Sequence, residues 1–537
     1  MFGLIIPAFG EKCSDYKESR NARSVYIPNA GSESFANYCE LLEKNDFVKR
    51  EETSCERTLY AAYQKEDCGV FLNYFCSTGE LLIVIEEACN YFCYTDGCLA
   101  ADPVVDPAAC SNPCGRAIVA PQITQLYLEN FGMSYVVRLP DGRFLLIDGG
   151  WEFEPDADRL FRFLKESSPY DKPVIAAWIM THPHEDHYQC LFPFMDKYAG
   201  EVTIEKFLYN FPLDEGYERY PDIYADNPNY PNVAANIGIP KMLAYIEQTH
   251  AVTYTPHTGQ RFVIGDAVLD IYSSMDDTIH HVPNLNAASL TIRMELGGQV
   301  ILWGTDANFY GAKLAERYGS MLAADILQVP HHGFGAGSVE SEIQCYELIK
   351  PKVCLMPVND YNAYTFFNIY CPGTRYLMEK MNVREMITGE TTRTLTLPYT
   401  ARETGAYELK KNLQTGLDNS GARTWIFTGL RTDRQEDFVF DVLNATLFGA
   451  KISIQLFFED QSRKVCDIIT VIPGSCYKQI CIIDETDVDV DAFYFNPCSL
   501  VRRGIPEAVP FAVQFISDRP VVISHRDHAA SYHSTIN

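Results

Sequence analysis

Three histidines and an aspartate follow one apolar run within six residues. The run is Val174–Met180, and the polar residues after it are His182, His184, Asp186 and His187. The chain has only 12 histidines, so a chance cluster explains this spacing poorly. Imidazoles two residues apart can hold one metal ion, and an acid with a histidine beyond the turn can hold a second. The pattern therefore predicts a hydrolytic site for two metal ions, with positions open for water.

Three other segments have the same format, in which an apolar run ends in a polar residue. Residues 144–150 reach Asp148, residues 300–306 reach Asp306, and residues 326–333 reach His331 and His332. A single aspartate after a strand is usually a turn former. Four such segments in one chain instead predict that these side chains gather at one edge of a pair of sheets.

These motifs together resemble the metallo-β-lactamase superfamily, and more narrowly the ComEC-type hydrolase domain of bacterial DNA-uptake channels. That branch has N-x-x-S-L, G-D-A and H-H-G motifs, which correspond here to residues 286–290, 304–307 and 331–333. The resemblance covers nearly all of residues 117–399. It implies an α/β fold, the αββα sandwich, with a binuclear metal site.

The resemblance also implies which residues hold each ion. His182 and His184 would bind the first ion, and Asp306 would bridge the two. The ligands implied for the second ion are Asp186, His187 and His331. Asp148 would lie behind the ligands and orient one of the histidines.

The chemistry implied is hydrolysis by a metal-activated water, with Asp186 and His332 as the predicted catalytic residues. A bound divalent ion lowers the pKa of water from about 15.7 to about 7, so hydroxide can attack a carbonyl or phosphorus centre. His332 could donate a hydrogen bond to the developing oxyanion. The alternative for His332 is a buried structural role.

The chain departs from the family pattern at three places. Where many members have a third histidine for the first ion, residues 284–286 read Asn-Leu-Asn. Either His280 or His281 could replace it, or Asn286 could contribute its amide oxygen. With that histidine missing, either the first ion binds more weakly or the metal is harder than zinc, such as manganese. The overall expectation is two divalent ions, with zinc first and manganese or iron as alternatives. Phe334 stands where the branch has serine, and Thr305 separates the glycine and aspartate of the second motif.

The charge balance limits the partners. The chain has 44 Lys+Arg against 71 Asp+Glu, a net charge of −27, which disfavours long nucleic acid and anionic membrane surfaces. The start of the chain has no basic segment, and the apolar runs are shorter than the roughly 18 residues of a membrane span. We expect a cytoplasmic protein that acts on a small-molecule substrate, without a membrane partner.

The composition predicts three domains. Residues 1–115 are expected to form a small α+β domain of unknown role, residues 116–405 the hydrolase domain, and residues 413–537 an antiparallel β-sandwich. Ten of the 18 cysteines lie between Cys13 and Cys114. Their spacing matches no zinc ribbon, so reduced thiols are favoured over disulfides or a structural metal.

The last domain resembles the sensory-rhodopsin-transducer-like β-sandwich family in its closing run, residues 516–526. That resemblance implies a site for a small ligand or a partner. His525, His528 and His533 near the end are either part of such a pocket or exposed tail residues.

The sequence therefore predicts a metal-dependent hydrolase acting on a phosphodiester or another small ester-type substrate. The alternative is a non-catalytic protein whose C-terminal β-sandwich binds a small molecule. Residues 209–230 hold five tyrosines and three prolines. This loop is either a plain surface loop or a wall of the substrate pocket, which we expect to border the metals.

Overall fold

The computed structural model forms two compact units. One comprises Met1–Val358 with Glu385–Arg402, and the other Asn359–Arg384 with Glu403–Asn537. The residues described are 14–17, 22–87, 89, 119–211, 238–275, 285–309, 312–359, 362–363, 371–381, 383–401, 403, 422–431, 439–444, 450–459, 463–471, 475–484, 499–502, 509–525 and 531–532. None of the helices in these ranges has the length and apolar character needed to cross a membrane.

The first unit begins with a six-stranded antiparallel sheet in the order β1-β2-β6-β5-β4-β3. Helix α1 (Ser32–Lys44) lies on it through Phe35, Tyr38 and Leu42, which share one helical face because they are three and four residues apart. The strands are β1 (Ser14–Lys17), β2 (Ala22–Ile27), β3 (Val48–Ser54), β4 (Thr58–Lys65), β5 (Cys68–Phe75) and β6 (Glu80–Glu86).

Buried polar contacts join this N-terminal sheet to the rest of the unit. At the start of β6, the Glu80 carboxylate accepts a hydrogen bond from Arg317 at 3.1 Å and also pairs with Lys313. At the end of β6, Glu86 lies 3.1 Å from Nε2 of His257. These contacts place the N-terminal sheet in the same compact unit as residues 257–317, and the domain boundary near residue 115 stays a prediction. The described cysteines of this region are free thiols: Cys39, Cys55, Cys68, Cys76 and Cys89.

The second sheet has eight strands in the order β13-β12-β10-β9-β8-β7-β21, with β11 also pairing with β10. Strands β9 to β13 are parallel, so their carboxyl ends meet at one edge. The strands are β7 (Gln122–Gln125), β8 (Ser134–Arg138), β9 (Phe144–Asp148), β10 (Val174–Met180), β11 (Thr203–Ile204), β12 (Lys206–Tyr209), β13 (Val252–Tyr254) and β21 (Arg393–Thr396).

The third sheet has seven strands in the order β14-β15-β16-β17-β18-β19-β20. It is antiparallel as far as β17 and parallel from β17 to β20. The strands are β14 (Arg261–Ile264), β15 (Ala267–Ser273), β16 (Thr291–Leu296), β17 (Gln299–Trp303), β18 (Ile326–Gln328), β19 (Val353–Met356) and β20 (Glu385–Thr388).

The second and third sheets share one core. Ile147 and Ile179 from the second sheet pack with Ile292 and Ile301 from the third. The other face of the second sheet forms a separate core with three helices: α2 (Glu154–Ser167), α4 (Leu191–Tyr198) and α5 (Ile239–Thr249). Strand β10 is buried along all seven residues, which explains its uninterrupted apolar sequence. Three further helices are α3 (Glu185–Tyr188), α6 (Leu314–Tyr318) and α7 (Val339–Ile349).

The second unit contains α8 (Pro372–Glu379) and an eight-stranded sheet in the order β25-β24-β28-β23-β26-β27, with β22 pairing β28 and β29. All pairs are antiparallel except β26 with β27. The strands are β22 (Ala422–Arg431), β23 (Val439–Asn444), β24 (Ala450–Phe458), β25 (Arg463–Val471), β26 (Ser475–Asp484), β27 (Ser499–Arg502), β28 (Pro510–Ser524) and β29 (Ser531–Tyr532).

One long strand replaces two strands that the sequence suggests near the end of the chain. Residues 512–516 and 521–525 each have a strand pattern, but the structure joins them in β28. Residues 511–517 pair with β24 and residues 522–524 pair with β23. The change of partner falls at Asp518 to Pro520, because proline has no N–H to give to a ladder.

Candidate metal centre

Four segments that follow strands bring their polar residues together at one edge of the two sheets. Asp148 ends β9, and residues 181–187 follow its parallel neighbour β10. Asp306 follows β17, and His332 follows the parallel strand β18. Carboxyl ends of parallel strands lie at a common edge, which is where α/β sheets place ligands. This juxtaposition is the one that the apolar runs and their polar ends predict.

The backbone at these strand ends is unusual. Asp148, Thr305, His331 and His332 have φ values of 58°, 46°, 50° and 53°. Non-glycine residues seldom occupy this left-handed region, and such conformations concentrate at functional sites. The amide of Thr305 is held by Oε1 of the buried Gln328, and its hydroxyl donates to a backbone carbonyl at 2.8 Å. The turn that presents Asp306 is therefore fixed on both sides.

The first group of candidate ligands is His182, His184 and Asp306. Their ligand atoms all lie within 4.8 Å of one another. Nε2 of His182 is 3.1 Å from Nδ1 of His184 and 3.7 Å from Oδ2 of Asp306. His182 and Asp306 are buried, whereas His184 is half-buried. The group therefore combines two imidazoles and one carboxylate around a single point.

The second group is Asp186, His187 and His332, again with ligand atoms within 4.8 Å of one another. Nε2 of His332 is 3.1 Å from Oδ2 of Asp186 and 3.2 Å from Nε2 of His187. Oδ2 of Asp306 lies 3.3 Å from His187 and 3.6 Å from His332. The same carboxylate oxygen thus faces both groups, as the bridging role predicted for Asp306 requires.

Asp148 orients this cluster from behind. Its carboxylate accepts hydrogen bonds from the Thr181 amide at 2.9 Å, from the Thr181 hydroxyl at 2.8 Å and from Nδ1 of His187 at 2.8 Å. Because a carboxylate only accepts, Nδ1 of His187 carries the proton and the lone pair of a neutral ring is on Nε2. Nδ1 of His182 lies 3.2 Å from the same Thr181 hydroxyl, whose proton is directed to Asp148. The Nε2 atom of each ring therefore faces the centre and carries a lone pair when the ring is neutral.

Burial and charge set the protonation of the cluster. Complete burial lowers the pKa of His182 well below its usual value, and His187 lowers it further. Burial also disfavours a charged His187, but the carboxylates of Asp306 and Asp186 outweigh that effect and raise its pKa. Burial would raise the pKa of Asp306, yet His187 and His332 hold it well below its usual value. The centre thus presents ionised carboxylates and at least one neutral imidazole.

The residues present fit divalent cations. Oδ1 of Asp306 is buried and has no hydrogen-bond partner among the described residues. Nε2 of His187, whose other nitrogen donates to Asp148, faces a second ring nitrogen and two carboxylates. Imidazole nitrogens and carboxylate oxygens this close together in a buried site need protons or a cation between them, and a divalent cation can take the place of the protons. Mixed imidazole and carboxylate donors suit zinc and similar divalent ions.

The structure differs from the expectation at the histidine pair. The sequence led us to place His331 among the ligands and His332 beside them as a donor. The structure instead places His332 in the second group and leaves His331 with a side chain 32% exposed. Nδ1 of His331 donates to the Gly335 carbonyl at 3.0 Å, and its Nε2 is 3.9 Å from Oδ2 of Asp306. Two consecutive left-handed residues turn the chain so that the second ring, not the first, points inward.

Asn286 lies beside this pair, in the 3₁₀ helix Leu285–Ala288. Its Nδ2 is 3.2 Å from Nε2 of His331, while its Oδ1 is buried without a hydrogen-bond partner among the described residues. Asn286 remains a candidate to complete the first group. The alternatives for that position, His280 and His281, lie outside the described residues.

Sequence reasoning missed two features of the centre. Thr181 links Asp148 to His182, and its signal was a hydroxyl residue between the buried strand and the first histidine. Phe131 places its ring 4.4 Å from the ring of His332, and nothing in the sequence connects these two residues. Most of the tyrosine-rich loop at 209–230 lies outside the described residues, so its predicted position beside the metals stays a prediction.

Comparison with known proteins agrees with this geometry. Residues 128–262 match the family model described as the metallo-beta-lactamase superfamily, so this part of the chain is a domain of that superfamily. The match contains Asp148 and the four candidate ligands at 182–187, and it ends before Asp306 and His332. No curated protein matches the chain.

Two solved structures are similar to short parts of the chain. The Anabaena sensory rhodopsin transducer is 20% identical, with 20% of this chain and 81% of the transducer covered and a TM-score of 0.15. The Thermotoga maritima 1070 protein is also 20% identical, with 21% of this chain and 90% of that protein covered and a TM-score of 0.14. At such low scores, neither likeness bears on the fold or activity of this chain.

Proposed function

We propose that the protein is a hydrolase that uses two divalent metal ions, zinc in the first instance, to cleave a small phosphodiester or other ester. The observation that carries this proposal is the position of Asp306. Its Oδ2 lies within 3.7 Å of ring nitrogens from both ligand groups, in a buried cluster of histidines and carboxylates. The superfamily domain at residues 128–262 supports the same reaction class.

In this mechanism the side chains of the protein would hold the metal ions and orient the ligands. His182 and His184 would hold one ion, Asp186, His187 and His332 the other, and Asp306 both. When bound, such ions supply a nucleophile at neutral pH by lowering the pKa of water, and they polarise the ester. Asp148 keeps the lone pair of His187 directed inward, because its carboxylate holds the proton on Nδ1. The Phe131 ring covers His332 and shields that ligand from water.

We also propose that the superfamily branch is the ComEC-type one and that the fold is its αββα sandwich. The two sheets with a common core, and the helices on the outer face of one of them, support this proposal. The motif residues Asn286, Asp306 and His332 all lie at the centre, which supports the branch.

For the second unit, the proposed role is binding of a small ligand or partner. The free thiols of the N-terminal sheet support a reducing, cytoplasmic compartment.

The substrate is proposed to be small. A net charge of −27 repels a long polyanion, whereas one phosphoryl group can be held by the metal ions themselves. The test uses the full chain, purified and reconstituted in turn with zinc, manganese and iron. Metal content is measured, and bis(p-nitrophenyl) phosphate and p-nitrophenyl acetate are offered as substrates.

We expect up to two equivalents of metal and hydrolysis that a chelator abolishes. A folded protein that takes up no metal from any of the three reconstitutions would overturn the proposal. Bound metal without hydrolysis of any ester would favour the rival function, a binding protein that does not catalyse.

A further inference from the structure

Two exposed phenylalanines stand beside the candidate metal centre. Phe131 is 40% exposed and Phe334 is 47% exposed. The other large apolar side chains that the described residues leave exposed are aliphatic: Val48, Val252, Val339 and Ile516. Exposed aromatic rings are costly in water and often mark binding sites. The two exposed aromatic rings of the described residues therefore lie directly beside the candidate ligand His332 and its neighbour His331.

Phe131 is fixed in position by its own loop. The backbone amides of Glu129 and Asn130 donate to the Asp156 carboxylate at 2.9 and 3.2 Å. At Gly132 an added Cβ would lie only 2.7 Å from the Asp186 carbonyl oxygen, so the loop packs directly on the ligand segment. These contacts hold the backbone on both sides of Phe131, and the Phe131 ring lies 4.4 Å from the ring of His332.

Phe334 approaches from the other sheet. Its amide donates to the His331 carbonyl at 2.7 Å, at the end of the turn that carries the two histidines. Its ring centroid is 6.2 Å from that of Phe131, with 68° between the ring planes, and 5.5 Å from that of His331. The two phenylalanines thus form a corner of exposed aromatic surface, with His332 beneath one side and His331 beside the other.

We propose that Phe131 and Phe334 bind a planar ring of the substrate, an aryl group or a nucleobase attached to the bond that is cleaved. This inference rests on the proposed function and names its substrate class. A flat ring gains both apolar burial and favourable ring-ring geometry against such a corner, whereas an alkyl group gains only burial. A single ring with one phosphoryl group also avoids the repulsion that a long polyanion would meet.

The test measures binding to the zinc-loaded full chain by titration calorimetry. The probes are methylphosphonate, cyclohexylphosphonate and phenylphosphonate, which share the anionic head and differ in the attached group. Adenosine 5′-monophosphate against ribose 5-phosphate distinguishes a nucleobase from a simple aryl ring. In at least one of the two series we expect the probe with a planar ring to bind about tenfold tighter. The comparisons are phenylphosphonate against methylphosphonate and cyclohexylphosphonate, and adenosine 5′-monophosphate against ribose 5-phosphate.

The variant is the double substitution Phe131→Leu with Phe334→Leu, which keeps apolar volume and removes both rings. We expect it to lose most of the tenfold preference while still binding methylphosphonate. The Tyr substitutions at the same positions should keep the preference. Val252→Ala removes an exposed apolar side chain at the amino-terminal end of β13 and should change nothing.

Equal affinity for ring-bearing and ring-free probes, or a preference that survives in the double leucine variant, would overturn the ring proposal alone. Cyclohexylphosphonate binding as tightly as phenylphosphonate, together with no preference for adenosine 5′-monophosphate over ribose 5-phosphate, would also overturn it, since that result needs only apolar burial. Absence of zinc-dependent binding by every probe would instead contradict the metal-hydrolase function on which the proposal depends.

Discussion

Asp148 accepts a hydrogen bond from Nδ1 of His187 at 2.8 Å, and both side chains are fully buried. The contact joins the end of β9 to helix α3, which follows β10; the two strands are parallel neighbours in the same sheet. It fixes which nitrogen of His187 faces the centre. His187 is therefore a candidate ligand and Asp148 the residue that orients it, and substitutions can test the two roles separately.

Asp148→Asn should weaken zinc binding by about 10- to 100-fold, the usual effect of removing an orienting carboxylate. The amide has one acceptor oxygen for the three donors that the carboxylate now satisfies. Competition with a chromogenic chelator measures the affinity. Asp158→Asn, on an exposed pair with Lys197, is the matched control. Wild-type affinity in the Asp148 variant would show that the hydrogen bond does not orient a ligand.

Metal stoichiometry should separate the two ligand groups. His184→Ala touches only the first group, so the purified protein should retain about one equivalent of the two. Asp306→Ala should lose both, because its Oδ2 faces both groups. The double variant His184→Ala with Asp186→Ala should lose both as well. Elemental analysis with circular dichroism measures metal content and folding together. If Asp306→Ala and His184→Ala lose the same amount, Asp306 does not bridge.

The two neighbouring histidines should respond differently to the same substitution. His332→Ala should lose one equivalent of metal, because Nε2 of His332 is 3.1 Å from Oδ2 of Asp186. His331→Ala should retain both equivalents, since Nδ1 of His331 is bonded to the Gly335 carbonyl and the ring lies outside the groups. Each variant is the control for the other. The opposite result would restore the assignment made from the sequence.

Glu80→Gln should destabilise the first unit by about 3 kcal/mol, because it leaves the fully buried Arg317 without its carboxylate. Urea unfolding measures the loss. Glu40→Gln, in an exposed pair with Lys44, should change stability by less than about 0.5 kcal/mol. A similar, small effect in both variants would mean that the Glu80 contact does not hold the N-terminal sheet.

The same contact should depend on pH. Burial would raise the pKa of Glu80, but Arg317 and Lys313 outweigh it and lower the pKa to about 2. A lowered folded-state pKa means that the stabilisation is complete above the unfolded value of 4.5 and is lost as the pH falls towards 2. The stability difference between wild type and Glu80→Gln should therefore shrink between pH 5 and pH 3, values at which both proteins can be unfolded with urea.

Much of the centre could be predicted from the sequence because its signals are local. The apolar run Val174–Met180 predicts a buried strand, and the histidines after it are close in space because they are close in the chain. Asp148 and Asp306 follow the same rule at other strand ends. The superfamily domain at residues 128–262 agrees with that reading.

What only the tertiary structure decided was which side chains meet across the sheets. Neighbouring histidines look alike in a sequence, and the choice of His332 over His331 depends on left-handed backbone angles held by the turn. Phe131 meets His332 because a loop of one sheet packs on a turn of the other. Glu80 reaches Arg317 in the same way, across two parts of the chain that the composition suggested were separate domains. Such contacts arise from packing between segments that are distant in the chain, so the local pattern of apolar and polar residues does not predict them.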